Sequence, residues 1–382
     1  MMKKKKILII LFVVIFLLIL GFISFKINQK EKKEILLFNW GEYIDPQLID
    51  AYNQQSEKFV IKQSFFSSNE LAINKIQTGH QYDIAILSEY AIMQLKPDYL
   101  QKIESEFNVK PKFNEQFEEI KFKLNNDEYS IPYFWGKLGI LYNKKKIKQQ
   151  LLEDNWINLL KNSKYKVALY NNPFEGIFLG LKATCGDISG SNEIDNQKAK
   201  EWLLDLKKTN TNLSFVTDQL LDNMKIKDEE HYDLALAYSG DARFLMKNNE
   251  NLAFFDFASG GTNIWVDSFV LPKGSNIEGA YDFINFLLKP ENIQKNTSFV
   301  DYDSPYQIDN IDNKFVVLKA MYNDKFYQYD EQCKKQINDI WNEVYASPRP
   351  KDYYLFIFSF LIVFIFIIIR FFNLHSIKQY YN

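Results

Sequence analysis

The sequence predicts an α/β body of two lobes held between two membrane-spanning helices. Through the middle of the chain, short apolar runs alternate with helical segments, as in parallel sheets covered by helices on both faces. Near each end of the 382-residue chain lies an uncharged apolar stretch that approaches the length of a membrane span. With 47% hydrophobic residues, a chain of this length can form two or three domains.

The N-terminal apolar stretch is the stronger membrane signal. Lys3–Lys6 precede Ile7–Phe25, nineteen residues without a charge, which at about 1.5 Å per residue nearly match a hydrocarbon core of roughly 30 Å. A cleaved signal peptide has a shorter apolar region and a small-residue cleavage site, and Gly21–Ser24 supplies no convincing site. No cysteine follows that would carry a lipid anchor. The prediction is a cytoplasmic tail and a transmembrane helix within residues 1–30.

The second apolar stretch, Tyr353–Ile369, is close to the lower length limit for a span, and a snorkelling Arg370 can extend it. Basic residues precede the first span and follow the second, where Arg370 and Lys378 lie. Positive charge marks the cytoplasmic side, so both termini are predicted to be cytoplasmic. Residues 351–382 then form a transmembrane helix and a tail, and residues 31–350 form an extracellular body tethered to the cell membrane.

The predicted extracellular body is acidic. Of the 46 basic and 48 acidic residues, six bases and no acid lie in 1–30, and three bases and one acid lie in 351–382, which leaves the body a net charge of −10. This charge favours cationic ligands over anions or nucleic acid, although a solvated surface has the same composition. Cys185, Cys333 and three scattered histidines match no metal-ligand spacing. No metal site and no cofactor are predicted.

The first α/β series occupies the start of the body. Its predicted elements are a strand at Glu34–Trp40, a helix at Pro46–Gln54, a strand at Phe59–Phe65, a helix at Asn69–Thr78 and a strand at Tyr82–Leu87. Open α/β sheets bind ligands beyond the carboxyl ends of their strands. The segments Asn39–Tyr43 and Ser88–Tyr90 lie at such ends and are candidate ligand contacts.

A second α/β series follows Ser130–Gly136. Its predicted elements are strands at Leu138–Tyr142, Tyr165–Tyr170 and Tyr232–Tyr238, with helices at Phe174–Ala183 and Asn196–Lys207. A further helix at Ala280–Leu288 is followed by Pro290, which is a stop signal. These elements predict the second lobe.

The stretch Gly260–Pro272 has the composition of a cation site. Trp265 and Asp267 point to the same face of an extended chain, so an indole and a carboxylate can meet one ammonium group together. The glycine pair before them permits backbone angles that other residues resist. A core strand with Trp265 packed inward and Asp267 capping a turn explains the same residues.

Several ordered segments together resemble one family. They are Phe38–Tyr43, Tyr82–Tyr90, Ser130–Gly136, Tyr238–Ala242, Trp265–Ser268 and Ala280–Pro290. The chain is similar, over residues 34–345, to the extracellular spermidine/putrescine-binding proteins of polyamine ABC importers. The resemblance implies a periplasmic-binding-protein-like fold, with a hinge and a cleft between lobe 1 (about 32–138 and 267–310) and lobe 2 (about 139–266 and 311–350).

The resemblance also implies a binding site. Its aromatic box consists of Trp40, Tyr43, Tyr90, Tyr238, Trp265 and Tyr302. Its polar members are Ser88, Glu175, Asp241, Asp267 and Glu331, although Gln332 fits nearly as well as Glu331. Such a site suits a polyamine, because aromatic walls contact the methylene chain and spaced acids meet the nitrogens.

Two positions depart from the family pattern. Asn172 stands where spermidine-binding relatives place a second acid three residues before Glu175, and Gly41 stands where a hydroxyl side chain often contributes. Asp241 matches an acid of the putrescine-binding branch, and it is expected to replace the lost charge from another wall. Its alternative role is to cap a helix beginning near Ala242.

The predicted function is the extracellular substrate-binding component of a polyamine (putrescine/spermidine) ABC transporter. Its partners are a polyamine, the permease subunits and the membrane, with no nucleic acid. An alternative is a binder of another small solute on the same lobes. An extracellular hydrolase using paired acids such as Glu175 and Asp267 is the third hypothesis, but no nucleophile with a base and no phosphate loop supports an enzyme.

Overall fold

The computed structural model describes residues 32–104, 111–124, 128–216, 224, 232–257, 260–308, 319, 321–328, 331–349, 361–368 and 370. The predicted span at Ile7–Phe25 lies outside these residues, and so does half of Tyr353–Ile369. Residues 361–368 are helical and exposed. Among the helices within the described ranges, none is both long enough and apolar enough to cross a membrane.

The first series forms as predicted. Its elements are β1 (Lys33–Trp40), α1 (Pro46–Gln55), β2 (Phe59–Phe66), α2 (Asn69–Gln77) and β3 (Ile84–Ser88). Two helices that were not predicted follow, α3 (Glu89–Leu95) and α4 (Glu115–Lys121). Local signals fix the helix starts: the Asp45 side chain accepts a hydrogen bond from the Gln47 amide before α1, and Ser68 caps α2 in the same way. All five residues of β3 are buried, as expected for a strand covered on both faces.

The rest of the body contributes the remaining strands and helices. In order they are β4 (Ile131–Asn143), α5 (Gln149–Lys161), β5 (Val167–Tyr170), α6 (Pro173–Ala183), α7 (Glu193–Thr209), β6 (Leu213–Val216), β7 (Leu234–Tyr238), α8 (Ser239–Asn248), β8 (Leu252–Phe255), β9 (Ile264–Val270), α9 (Ile277–Leu287), α10 (Pro290–Val300) and α11 (Glu331–Ala346).

The strands form a mixed sheet in the order β2-β1-β3-β9-β4-β7-β5-β6, with β8 also paired to β4. β1 is parallel to β2 and β3, and β5 is parallel to β6 and β7, which confirms the parallel pairing predicted from the βαβ pattern. β9 runs antiparallel to both β3 and β4. Apolar periodicity did not predict this central antiparallel pair.

One long strand, β4, joins two hydrophobic cores. Its first half pairs with β9 as far as Lys137, and its second half pairs with β7 from Leu138 onwards. One core is built around β1, β3 and α9 and includes Ile35 and Phe283, while another packs α6, α7 and α11 around Phe178. The change of partner therefore falls between the two cores.

Lys137 lies buried at this change of partner. Its Nζ is 2.9 Å from Asp256 Oδ2 and 3.2 Å from Asp324 Oδ2, and the lysine and Asp324 side chains are inaccessible to solvent. A buried charge needs such partners, because an unpaired one costs several kcal/mol. These ion pairs link β4 to segments that follow β8 and precede α11.

Three details differ from the predictions. Ser130–Gly136 supplies most of the first half of β4, so the strand is much longer than Leu138–Tyr142. α9 ends at Leu287, close to the predicted stop, but Pro290 also begins α10, because proline fits the first turn of a helix. α8 begins at Ser239, so Asp241 lies in its first turn and does not cap it. Cys185 and Cys333 are not joined by a disulfide, and the Cys333 thiol donates a hydrogen bond to the Gly190 carbonyl.

Candidate functional site

Asp267 accepts hydrogen bonds through both of its carboxylate oxygens. The β3–β9 register places it opposite Ser88, whose hydroxyl donates to Asp267 Oδ1 at 2.6 Å, while the Tyr43 hydroxyl donates to Oδ2 at 2.8 Å. Asp267 is buried, and burial raises its pKa to about 6, although these two hydrogen bonds oppose the rise. The side chain does not cap a turn, so the capping alternative is wrong.

Ser88 connects this acid to a polar chain on α2 and α3. The Asn69 amide donates to the Ser88 hydroxyl at 2.9 Å and to the Tyr90 hydroxyl at 3.0 Å. Tyr90 in turn donates to Glu70 Oε1 at 3.3 Å. Asn69 therefore fixes both predicted side chains, and its position in the first turn of α2 gave no sign of this role.

Trp265 occupies the middle of an aromatic group. Its ring centroid lies 5.1 Å from that of Tyr302 and 5.9 Å from that of Tyr238, both edge-to-face. The indole fits because residue 136 has no side chain: a Cβ at Gly136 would lie 2.6 Å from Trp265 Cζ2. Trp265 is half-buried, and its Nε1 has no hydrogen-bond partner in the described structure.

Glu175 lies in the first turn of α6, beyond the end of β5. Its Oε1 accepts a hydrogen bond from the Tyr238 hydroxyl. Its Oε2 is buried, and among the described contacts it has no hydrogen-bond partner. Burial raises the pKa of Glu175 to about 7, opposed by the Tyr238 bond, and Glu70 raises it further. Glu175 thus keeps unused acceptor capacity away from water.

Asp241 is held by two tyrosines. The Tyr302 hydroxyl donates to Oδ1 at 2.5 Å, and the Tyr170 hydroxyl donates to Oδ2 at 3.2 Å. The Tyr302 ring lies against α8 where residue 240 is glycine, since a Cβ at Gly240 would be 2.2 Å from that ring. The sequence gave no indication that Tyr170, the last residue of β5, takes part.

These contacts unite most of the predicted site. We call the connected set the acid–aromatic cluster; it consists of Tyr43, Ser88, Tyr90, Glu175, Tyr238, Asp241, Trp265, Asp267 and Tyr302. Trp40 and Glu331 are less closely connected to it. The Trp40 ring packs 4.5 Å from that of Phe66 and lies against the same hydrophobic core as Tyr43 and Tyr302, while Glu331 is exposed at the start of α11. Among the described contacts, no side-chain hydrogen bond or ring pair joins either residue to the cluster.

The two departures from the family pattern have local roles. Asn172 caps α6, and its Oδ1 accepts a hydrogen bond from the Phe174 amide at 3.0 Å. Gly41 lies in the turn after β1, and a side chain there would meet nothing within 4 Å.

Two further residues of the cluster region were not predicted. Glu89 is buried next to Ser88, and Tyr327 is buried against Phe174, with ring centroids 5.1 Å apart. Glu89 was within reach of the sequence argument, because it lies inside the strand-end segment Ser88–Tyr90. Tyr327 lies in a segment without strand or helix and carried no sequence signal.

The cluster combines buried acids with aromatic rings, so its chemistry suits a cation with an apolar chain. An ammonium group gains charge-assisted hydrogen bonds from carboxylates and attraction from ring faces. Within the described ranges, no group of three or more histidine, cysteine, aspartate or glutamate side chains has a metal-binding arrangement.

The chain matches known solute-binding proteins over most of its length. The family described as bacterial extracellular solute-binding protein matches residues 82–331. The putrescine-binding periplasmic protein SpuD of Pseudomonas aeruginosa is 25% identical over 348 residues, covering 84% of this chain and 90% of that protein. The spermidine/putrescine-binding periplasmic protein of Escherichia coli is 26% identical, with 85% and 91% covered.

A solved structure agrees with this match. The spermidine/putrescine ABC transporter substrate-binding protein PotD of Streptococcus pneumoniae superposes with a TM-score of 0.66 at 27% identity. The match covers 82% of this chain and 98% of that one. Iron-bound HitA of Pseudomonas aeruginosa, at 15% identity and a TM-score of 0.60, shares the fold alone.

Proposed function

Because the chain belongs to the family of bacterial extracellular solute-binding proteins, we propose that it captures a polyamine outside the cell as the substrate-binding component of an ABC importer. The family assignment confirms a solute-binding protein over an enzyme. The relative from Pseudomonas aeruginosa is a putrescine-binding protein, and the relative from Escherichia coli is a spermidine/putrescine-binding protein. The importer supplies the permease subunits that we propose as partners.

The observation that carries the proposal is the surroundings of Asp267. Its carboxylate is buried between two hydroxyl donors and shares a strand face with the Trp265 indole. A carboxylate in such a place pays a desolvation cost that a bound ammonium group can offset. A sugar would supply only neutral hydroxyl groups to this carboxylate.

Calorimetry on the full-length chain tests the proposal. Putrescine and spermidine are expected to bind, and glucose and a neutral amino acid are expected to give no heat of binding. Binding of glucose or the amino acid, with neither amine bound, would support the alternative of another small solute and contradict the proposal. The control for nonspecific ion binding is the same titration of each amine with the Asp267→Asn variant in place of the wild type.

The ligand is proposed to lie between two lobes that close around it. The partner change in β4 near Lys137 and Leu138 supports the first proposed lobe boundary. The pairing of β9 with β3 begins at Asp267, which supports the second boundary between Val266 and Asp267. The third boundary, 310/311, lies outside the described residues. Hinge closure predicts that the full-length chain compacts in solution scattering on addition of saturating polyamine, and an unchanged radius would argue against it.

The body is proposed to be tethered to the cell membrane at both ends. The support for the tether is the pair of apolar stretches flanked by basic residues. The support for a body outside the cytoplasm is that both relatives are named as periplasmic proteins. Protease added outside intact cells is expected to remove residues 31–350 and to spare tags at both termini. Digestion of either tag from outside would show that the proposed orientation is wrong.

A further inference from the structure

Glu89 lies where β3 ends beside β9. The β3–β9 ladder stops at the Ser88–Asp267 pair, and the chain then turns into α3, so no strand residue remains to meet the next amide of β9. The Glu89 side chain takes that place, and its Oε2 accepts a hydrogen bond from the Val266 amide at 3.0 Å. This register holds the carboxylate beside the strand that carries Trp265 and Asp267.

Charged and titratable groups from several elements face Glu89. Burial is the largest influence and raises the pKa of Glu89 to about 8. The Val266 amide lowers this pKa, while Asp267 on β9 and Glu175 on α6 raise it. From the other packed segments, Tyr90 and Tyr327 interact electrostatically with Glu89, and Glu70 interacts with Tyr90 and Glu175.

Two buried polar atoms in this region have unused hydrogen-bonding capacity within the described structure. They are Glu175 Oε2 and the Tyr327 hydroxyl; only 8% of Glu175 and 7% of Tyr327 is exposed. Buried polar groups are rarely left in this condition unless a ligand, ion or water meets them. The region is therefore built to receive a polar group beside Glu89 and Glu175.

We propose that Glu89 is a specificity-determining residue, whose carboxylate joins Glu175 in binding one ammonium group at this end of the acid–aromatic cluster. This inference rests on the proposed function, and it names a linear triamine as the class of ligand that uses the whole cluster. Asn172 leaves Glu175 without the acid three residues before it, and Glu89 at the start of α3 supplies that negative charge when the ammonium group is bound.

A diamine and a triamine use this end differently. A short dication satisfies Asp267 and Asp241 without a third ammonium group, while a triamine has one more ammonium for Glu175 and Glu89. Because burial raises the pKa of Glu89 to about 8, ligand-free Glu89 binds protons near neutral pH, and pairing with an ammonium group favours their release. Triamine binding is therefore coupled to the release of a proton from Glu89.

The test is calorimetry on the full-length chain with spermidine and putrescine, repeated at pH 7 in two buffers of different ionisation enthalpy to count protons. Glu89→Gln keeps an acceptor for the Val266 amide and removes the charge. It is expected to weaken spermidine about tenfold or more, since a charge-assisted hydrogen bond is lost, and to change putrescine by less than about threefold. Glu278→Gln removes one charge from an exposed surface ion pair with Lys58 and is expected to behave as wild type.

Proton counts in the wild type give a second measurement that needs no variant. Spermidine is expected to release more protons than putrescine, and Glu89→Gln is expected to reduce that difference and leave only the share from Glu175. Equal proton release by the two amines, or unchanged spermidine affinity in Glu89→Gln, would overturn this role and leave Glu89 only its bond to Val266. If the wild type bound neither amine, the proposed function would fail first, and this inference with it.

Discussion

The acid–aromatic cluster has one end at Asp241 and another at Glu175. Each end has an acid hydrogen-bonded to tyrosine, but the two acids differ in how many of their oxygens are bonded. At one end, both oxygens of Asp241 already accept hydrogen bonds from Tyr302 and Tyr170. At the other end, Glu175 is bonded to Tyr238 through one oxygen only, and among described contacts the second oxygen is unused. A ligand at the first end must share an occupied acceptor, while a ligand at the second meets a ready one.

Asp267 lies close enough to both ends to influence each. Its charge raises the pKa of Tyr302 at the Asp241 end and that of Glu89 at the Glu175 end. We therefore expect every ligand of the cluster, whatever its length, to place a cationic group at Asp267. The ends are expected to set which polyamine is preferred, and Asp267 is expected to decide whether any is bound.

The largest expected effect is that of Asp267→Asn. Removing this charge is expected to weaken putrescine and spermidine together, by roughly 2–5 kcal/mol for a fully buried pair. Calorimetry measures both affinities, and thermal unfolding checks that the variant folds. Loss of one amine alone would show that Asp267 belongs to one end and is not shared.

Gly136→Ala tests whether the Trp265 indole must lie against β4. The added Cβ would lie 2.6 Å from Trp265 Cζ2, so the ring must move, and overpacking of this kind typically costs about 1–3 kcal/mol. Both amines are expected to bind more weakly. Gly41→Ala is the matched control, because a Cβ there meets nothing within 4 Å; equal losses in the two variants would contradict a specific role for the indole.

Asp241→Ser separates the two ends. It is expected to weaken putrescine by about tenfold, as one charge-assisted hydrogen bond is lost, and to weaken spermidine less, because the triamine keeps the Glu175 end. Asn172→Asp is expected to strengthen spermidine, and aspartate caps α6 as well as asparagine does. Unchanged affinities in Asp241→Ser, or equal losses for the two amines, would contradict the difference between the ends.

The smallest effect concerns pH. Burial raises the pKa values of Asp267, Glu175 and Glu89 to about 6, 7 and 8, so between pH 5 and 8 the folded chain binds more protons than the unfolded chain. The stability that these protonated acids contribute is present below their ordinary pKa values and is lost as pH rises. The ligand-free melting temperature should therefore fall from pH 5 to 8, and less steeply in Glu175→Gln. An equal slope in both proteins would contradict burial of an ionisable Glu175.

Local signals predicted the parallel strand pairs and part of the cluster. Apolar runs placed β1, β2 and β3, strand ends placed Tyr43 and Ser88, and strand alternation placed Trp265 beside Asp267. The remaining members of the cluster were implied only by the resemblance to a family. The antiparallel pairing of β9 with β3 and β4 depends on contacts between residues far apart in sequence. Apolar periodicity, which is a local pattern, does not predict such contacts. The same limit hid Tyr170 and Tyr327, since a buried tyrosine in a packed wall has the same local sequence as one that binds a ligand.

A crystal structure of the full-length chain with bound spermidine tests the central claim most directly. The account predicts one ligand nitrogen within hydrogen-bond distance of the Asp267 carboxylate and another within reach of Glu175 Oε2 and Glu89, with the methylene chain against the Trp265 and Tyr302 rings. Spermidine bound elsewhere on the protein, with Asp267 still bonded only to Tyr43 and Ser88, would contradict it.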